Sequence, residues 1–252
     1  MTKHHRGIWL VKPIVGDAFR ADAPLGSLGS PGTEICQVYV TRGPASIESE
    51  FDAALAAPWV VAKAVEAESA GADALVIDCM DDPGLEAARE AVSIPVLGPS
   101  QTTMHLAGLL GHRFTIVTTQ ARSVPGFENR AAWYGVGDRL ASVRWVDIPV
   151  LDLGKDDNGL AARLAQESEA AITRDGAHVI ILGCTGMLGL AAGLARELAD
   201  RGHPDVPVLD PVPVTIRAAE ALIDLGLSQS KRTYPAPDPK LIVGYDDLRP
   251  AR

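Results

Sequence analysis

Two cysteines carry the most distinctive chemistry of the sequence. Cys79 follows the apolar run 74–77, Cys184 follows the apolar run 179–182, and a small or polar turn comes after each. Short apolar runs between turn signals predict buried strands, so each thiol is expected between the end of a strand and the start of a helix. There the free N–H groups and the helix dipole stabilise a thiolate, and the pattern predicts a lowered pKa for both thiols.

An internal repeat makes the two cysteines equivalent. Three pairs recur 105 residues apart: Gly71 and Gly176, Cys79 and Cys184, Gly84 and Gly189. After a longer loop at 199–205 the offset becomes 112, and the Pro-Val-Leu-x-Pro segment 95–99 recurs at 207–211. The repeat predicts two similar α/β lobes, related by a pseudo-two-fold axis, whose strand ends face one cleft. Each lobe then presents one cysteine to that cleft.

A thiol on each side of a small substrate suits proton transfer. One thiolate removes the proton from a carbon next to a carbonyl, the opposite thiol protonates the other face, and the roles swap for the other enantiomer. An unperturbed thiol pKa of about 8.5 keeps both forms accessible. Cys79 and Cys184 are therefore predicted as the catalytic pair of a cofactor-independent racemase or epimerase. Cys36 has no repeat partner and lies in a predicted strand, so it is predicted to be a core residue.

Other polar residues follow the same strand ends. Substrate-binding positions are predicted at Met80, Asp81, Thr118, Thr119, Thr185 and Gly186. Two alternatives stay open: Asp81 or Asp82 caps a helix that begins near Pro83, and the two threonines cap a turn. The histidines show no metal-ligand spacing, so no metal site is predicted.

Short apolar runs alternate with segments of helical periodicity, which predicts parallel sheets covered by helices. Strands are predicted at 7–11, 35–40, 74–77, 95–97, 114–117, 143–148, 179–182 and 206–209, with a late candidate at 241–243. Helices are predicted at 46–70, 83–91, 102–110, 159–175, 189–200 and 214–225. The first lobe is predicted to comprise 1–99 plus 213–252, and the second 100–212.

Composition narrows the class of protein. The 252 residues carry a formal charge of -9, which argues against a nucleic-acid partner because phosphate binding needs a basic surface. No apolar run reaches the roughly 18 residues of a membrane span, and the start lacks the features of a signal peptide. Three widely spaced cysteines indicate neither a disulfide framework nor a zinc site. A cytoplasmic protein with a small-molecule substrate is expected, with homo-oligomerisation left open.

Five motifs together resemble one family. They are the segments 43–48 (GPASIE), 79–85 (CMDDPGL), 117–119 (VTT), 182–187 (LGCTGM) and 226–234 (GLSQSKRTY). The chain resembles the Asp/Glu/hydantoin racemase superfamily, and within it the hydantoin racemase branch. The resemblance implies two flavodoxin-like lobes, no cofactor, and Cys79 and Cys184 as the catalytic residues. It also implies a substrate such as a 5-substituted hydantoin, and a C-terminal segment that returns to the first lobe.

One departure from this family concerns the first loop. Hydantoin racemases usually have Asn-Pro-Asn-Thr where this chain has Lys12-Pro13-Ile14-Val15. Lys12 and Pro13 are assigned to substrate binding, and Lys12 either provides a positive charge for an anionic substrate or extends to solvent. The alternatives are a decarboxylase, a cis–trans isomerase of the superfamily, and a two-lobed binding protein. Retention of both cysteines argues against the decarboxylase, and the paired thiols argue against the binding protein.

Overall fold

Two four-stranded parallel sheets of the same topology form the centre of the molecule. A computed structural model describes residues 5–16 and 25–245. The first sheet has the order β2-β1-β3-β4 and the second β6-β5-β7-β8, and all neighbours are parallel. The strands are β1 (Arg6–Lys12), β2 (Thr33–Tyr39), β3 (Ala74–Ile77), β4 (Val96–Leu97), β5 (Phe114–Thr118), β6 (Leu140–Trp145), β7 (Val179–Leu182) and β8 (Val208–Leu209). The matching orders confirm the predicted α/β fold of two similar lobes.

Helices cover both faces of each sheet. They are α1 (Glu50–Ser69), α2 (Leu85–Ala91), α3 (Pro99–Leu110), α4 (Val124–Trp133), α5 (Asp157–Asp175), α6 (Ala191–Asp200) and α7 (Pro211–Leu225). Helices α1 and α2 share a core with one face of the first sheet, and α7 covers the other face. Helices α5 and α6 cover one face of the second sheet, and α3 and α4 the other. Every residue of β3 and β7 is therefore buried, which explains their uninterrupted apolar sequences.

The chain crosses between the lobes twice. Helix α3 follows β4 of the first sheet but packs on the second sheet, whereas α7 follows β8 of the second sheet and packs on the first. The division into 1–99 plus 213–252 and 100–212 stays a prediction, because this packing does not test whether either part folds alone. Residues 1–4, 17–24 and 246–252 of the predicted first lobe lie outside the described residues.

Besides shifts of a few residues at the ends of several elements, four predictions differ from the structure. Helix α4 was not predicted, because Pro125 and Gly126 in its first turn are typical of a loop. The segment 241–243 is not a strand, and Leu241 is exposed. Cys36 is exposed rather than part of the core, because β2 is the edge strand of its sheet. The helix expected from Pro83 begins only at Leu85.

Gly84 explains this later start of α2. Its φ of +74° lies in the left-handed region, and a Cβ there would lie 2.8 Å from the carbonyl oxygen of Ala57. The turn thus needs glycine before the helix can begin. In the part of the chain that the structure describes, no helix has the length and hydropathy needed to cross a membrane.

Candidate active site

A cavity of about 610 Å³ lies at the carboxyl ends of the strands and is lined from both lobes. This is the edge at which parallel α/β sheets bind ligands. All ten residues that the sequence predicts for the site line it: Lys12, Pro13, Cys79, Met80, Asp81, Thr118, Thr119, Cys184, Thr185 and Gly186. The fold therefore brings together residues that are more than 170 positions apart in the chain.

The two cysteines occupy equivalent positions in their lobes. Each lies two residues after the end of its strand, β3 for Cys79 and β7 for Cys184. The backbone N–H of Asp81 donates to the Sγ of Cys79 at 3.5 Å, and that of Gly186 donates to the Sγ of Cys184 at 3.4 Å. Both thiols are thus held by a backbone donor two residues later in the chain.

The predicted lowering of both thiol pKa values is wrong. Burial raises the pKa of Cys79 well above its usual value, and the negative charge of Asp81 raises it further. Burial likewise raises the pKa of Cys184 to about 12, with added repulsion from Asp78, Asp81 and Glu48. The backbone N–H groups do lower both pKa values, as expected, but burial among carboxylates outweighs them.

Lys12 is paired inside the cavity. Its Nζ lies 3.1 Å from Oδ2 of Asp78, and the two side chains are only 15% and 5% exposed. Lys12 therefore does not extend to solvent, and its positive charge is paired with Asp78. Its role in substrate binding stays a prediction. The Oδ1 of Asp78 is buried and has no hydrogen-bond partner among the residues that the structure describes. The Asp78 carbonyl accepts a hydrogen bond from Oγ1 of Thr185 at 3.2 Å, which joins the two cysteine loops.

Asp81 lies between Cys79 and an arginine that the sequence did not indicate. Its Oδ2 is 4.0 Å from the Sγ of Cys79, within reach of a thiol hydrogen bond. Its Oδ1 is 2.5 Å from Nη2 of Arg130, which belongs to α4 of the second lobe. Arg130 also lies 3.4 Å from Glu50 at the start of α1 and stacks on the ring of Phe127. This ion pair joins the two lobes beside the cavity.

Comparisons with known proteins connect this chain to one family. Residues 21–219 match the family described as Asp/Glu/Hydantoin racemase. The chain is 39% identical over 213 residues to a hydantoin racemase of Pseudomonas sp. (strain NS671), covering 84% of this chain and 83% of that one. It is 40% identical over 214 residues to a hydantoin racemase of Rhizobium meliloti, covering 84% and 86%.

A solved structure supports the same assignment. The fold matches the allantoin racemase from Klebsiella pneumoniae with a TM-score of 0.89 and 36% identity, covering 98% of this chain and 100% of that chain. This chain belongs to the Asp/Glu/hydantoin racemase family. It is therefore an enzyme, an isomerase of the racemase type, and the two-lobed binding protein is set aside.

Asp82 of the racemase caps a helix, but not the one predicted. Its carboxylate accepts hydrogen bonds from the backbone N–H groups of Ser100 and Gln101 at 3.0 and 2.9 Å, and from the hydroxyl of Tyr134 at 2.8 Å. It thus caps α3, whose own N-cap residue is Gly98 and has no side chain. Burial raises the pKa of Asp82 to about 6, although these hydrogen bonds favour the charged form.

Several lining residues of the racemase lie in segments without a chemical motif. Val150 belongs to a loop after β6, and its N–H donates to the carboxylate of Glu48 in the first lobe. Thr118 donates from its hydroxyl to the carbonyl of Gly183 at 3.4 Å, so it supports the Cys184 loop as well as lining the cavity. The lining residues that the sequence did not indicate include Ser27, Leu28, Gln37, Phe127, Val150 and Leu188. These residues share no local sequence signal, because only the packing of the two lobes brings them to the cavity.

Proposed function

We propose that this racemase inverts a 5-substituted hydantoin or a related cyclic ureide without a cofactor, with Cys79 and Cys184 as its two acid–base groups. The observation that carries the proposal is the placement of both thiols at equivalent strand ends around one cavity. The relatives described as hydantoin and allantoin racemases support this substrate class.

The reaction follows from the two thiols. One thiolate takes the proton from the ring carbon, and the two flanking ring groups delocalise the negative charge that remains. The opposite thiol then protonates the other face. We expect backbone N–H groups of the two cysteine turns to bind a ring oxygen that becomes negative. The high thiol pKa values favour this second step, because a neutral thiol holds the proton that it must deliver.

The charges in the cavity favour a neutral substrate. Lys12 is neutralised by Asp78, and Asp81 is neutralised by Arg130. A substrate carboxylate would therefore meet no unpaired positive charge among the described lining residues. A cavity of about 610 Å³ is also within the usual range for a small ligand, about 300–1,000 Å³.

The test uses Cys79→Ala and Cys184→Ala, with Cys36→Ala as the matched control. Racemisation of enantiopure 5-substituted hydantoins and of allantoin is followed by circular dichroism. Each of the first two variants is expected to lose racemisation by about 10²-fold or more. Cys36→Ala should keep it, because Cys36 lies on the exposed edge strand β2.

Deuterium exchange sharpens this test. With one thiol left, that thiol removes a proton and returns a deuteron on the same face. Each variant should therefore exchange the ring proton of one enantiomer only, without inversion, and the two variants should select opposite enantiomers. Full racemisation by either variant would contradict the two-thiol proposal.

A further inference from the structure

The repeat gives the two thiols the same backbone but different neighbours. Two residues after Cys79 stands Asp81, and two residues after Cys184 stands Gly186. Both residues donate their N–H to the preceding Sγ, at 3.5 and 3.4 Å. Only Asp81 adds a carboxylate. The pseudo-symmetry of the site is therefore broken at this position.

This carboxylate is placed to exchange a proton with one thiol. Oδ2 of Asp81 lies 4.0 Å from the Sγ of Cys79, and Oδ1 is held by Arg130 at 2.5 Å. The Asp81 side chain is 21% exposed and the Arg130 side chain 12% exposed, so water has little access to the pair. A carboxylate next to a buried thiol makes the thiolate less stable unless the carboxylate itself accepts the proton.

We propose that Asp81 is a catalytic residue that takes the thiol proton of Cys79 and holds it during turnover, and that Arg130 is its positioning residue. The proposal rests on the two-thiol function proposed above. In the activating step the S–H bond of Cys79 breaks and an O–H bond forms on Oδ2 of Asp81. A thiolate and a neutral carboxylic acid result.

The proton balance then closes with water as the only further reactant. The Cys79 thiolate takes the substrate proton, and the Cys184 thiol delivers its own proton to the opposite face. The site now holds a Cys184 thiolate, a Cys79 thiol and the same protonated Asp81. This form is competent for the other enantiomer. Before the same enantiomer reacts again, Cys79 releases one proton to water and Cys184 takes one from water, while Asp81 keeps its proton.

The fixed charge of Arg130 supports this exchange. Arg130 lowers the pKa of Cys79, after the larger effects of burial and Asp81. When the negative charge moves from Asp81 to Cys79, it stays close to the same guanidinium. Loss of the Asp81 charge also removes its repulsion on both thiolates. Arg130 also acts to lower the pKa of Asp81, but burial is the larger effect and the pKa is raised overall, which favours the neutral form.

Four further acidic groups act on Cys184 or on Asp81. Asp78 and Glu48 raise the pKa of Cys184, Asp78 being paired with Lys12 and Glu48 bound to the N–H of Val150. Glu50 and Asp52, at the start of α1, raise the pKa of Asp81.

The first arm of the test measures the thiols without substrate. Iodoacetamide labelling of Cys79 and Cys184 is followed by mass spectrometry between pH 6 and 10, in the wild type, Asp81→Asn and Arg130→Met. In Asp81→Asn, iodoacetamide should label Cys79 faster than in the wild type, and the labelling rate of Cys184 should change less. Each tenfold gain in the thiolate fraction should raise the labelling rate only about three- to fourfold. The gain is less than tenfold because a thiolate of lower pKa is a weaker nucleophile. Arg130→Met should label more slowly at Cys79.

The second arm measures racemisation by the same variants. Asp81→Asn should lose about 10²–10⁴-fold in kcat although its Cys79 is more reactive, because the proton acceptor is gone. Asp81→Glu and Arg130→Lys should restore part of the activity. Arg201→Met is the control: it removes a surface ion pair and should leave the activity unchanged. Near-ultraviolet circular dichroism checks that each variant is folded.

Two results would overturn the proposal. One is an Asp81→Asn enzyme that racemises as fast as the wild type or faster. The other is unchanged labelling of Cys79 in both Asp81→Asn and Arg130→Met. If instead Cys79→Ala and Cys184→Ala kept full racemisation while the labelling changed as expected, the proposed function would fail. The electrostatic coupling of Asp81 to Cys79 would then still stand.

Discussion

At the scale of single residues, the two lobes share backbone geometry and differ in side chains. Asp78 precedes Cys79, whereas Gly183 precedes Cys184. A Cβ at Gly183 would lie 2.8 Å from the Cα of Thr118, so only glycine fits against β5 there. The first lobe has room at the same place for Asp78 and its partner Lys12. The first lobe thus adds the Asp78 carboxylate to the site, where it raises the pKa of Cys184.

Asp82 provides a residue-scale prediction of stability. Asp82→Ala should lower the free energy of unfolding by about 1–3 kcal/mol, because it leaves the buried N–H of Ser100 and its neighbour without acceptors. Tyr134→Phe should cost about 1 kcal/mol, because it removes one hydrogen bond to the same carboxylate. Urea unfolding measures both, and equal stability of Asp82→Ala and the wild type would contradict this capping role.

At the scale of elements, helix α7 and the chain after it hold the first lobe together. Lys231 donates to the carbonyls of Arg89 and Val92 at the end of α2, and Tyr234 accepts from the guanidinium of Arg89. The resemblance predicted this return of the C-terminal segment to the first lobe. Glu220 of α7 accepts hydrogen bonds from the segment that leads into β2.

Glu220 predicts how stability changes with pH. Burial acts to raise its pKa, but hydrogen bonds from Thr33, Ser30 and Arg217 outweigh burial and lower it to about 2. A lowered acid pKa contributes stability that is fully present above about pH 4.5 and is lost as the pH falls toward 2. The loss should be about 3 kcal/mol.

The measurement is urea unfolding at a series of pH values in this window. Glu220→Gln should be less stable than the wild type at pH 7, and it should lose less stability between pH 4.5 and 2. Glu128→Gln, which changes an exposed glutamate of α4, is the matched control. If Glu220→Gln lost as much stability between pH 4.5 and 2 as the wild type, the hydrogen bonds of Glu220 would not be the source of the pH dependence.

At the scale of the whole molecule, the two lobes enclose the thiols and raise their pKa. Contacts that join the lobes around the cavity include Thr185 to the Asp78 carbonyl, Asp81 to Arg130, and Glu48 to the N–H of Val150. Enclosure buries Cys79 and Cys184 among carboxylates, whereas Cys36 stays on an exposed edge strand.

This enclosure predicts an order of labelling in the ligand-free protein. Iodoacetamide at pH 8 should modify Cys36 before Cys79 and Cys184, because both cavity thiols are held largely protonated. Mass spectrometry of digested samples gives the three rates. Faster labelling of either cavity thiol than of Cys36 would show that the cavity stabilises a thiolate after all.

The sequence by itself determined the repeated α/β fold, most strand positions and the ten lining residues that it assigned to the site. These follow from local signals, because buried parallel strands are short apolar runs and the turns after β1, β3, β5 and β7 face the cavity. The sequence also showed that Cys79 and Cys184 are equivalent, because neighbouring residues recur at the same offset in the chain.

Tertiary structure decided the electrostatics of the site. Arg130 lies 49 residues after Asp81, in a helix with loop-like composition, and only packing of α4 against the first lobe joins the two. The sequence alone likewise could not determine the direction of the thiol pKa shifts. A local N–H donor lowers the pKa, but burial and carboxylates contributed by several elements raise it, and their sum depends on the folded arrangement.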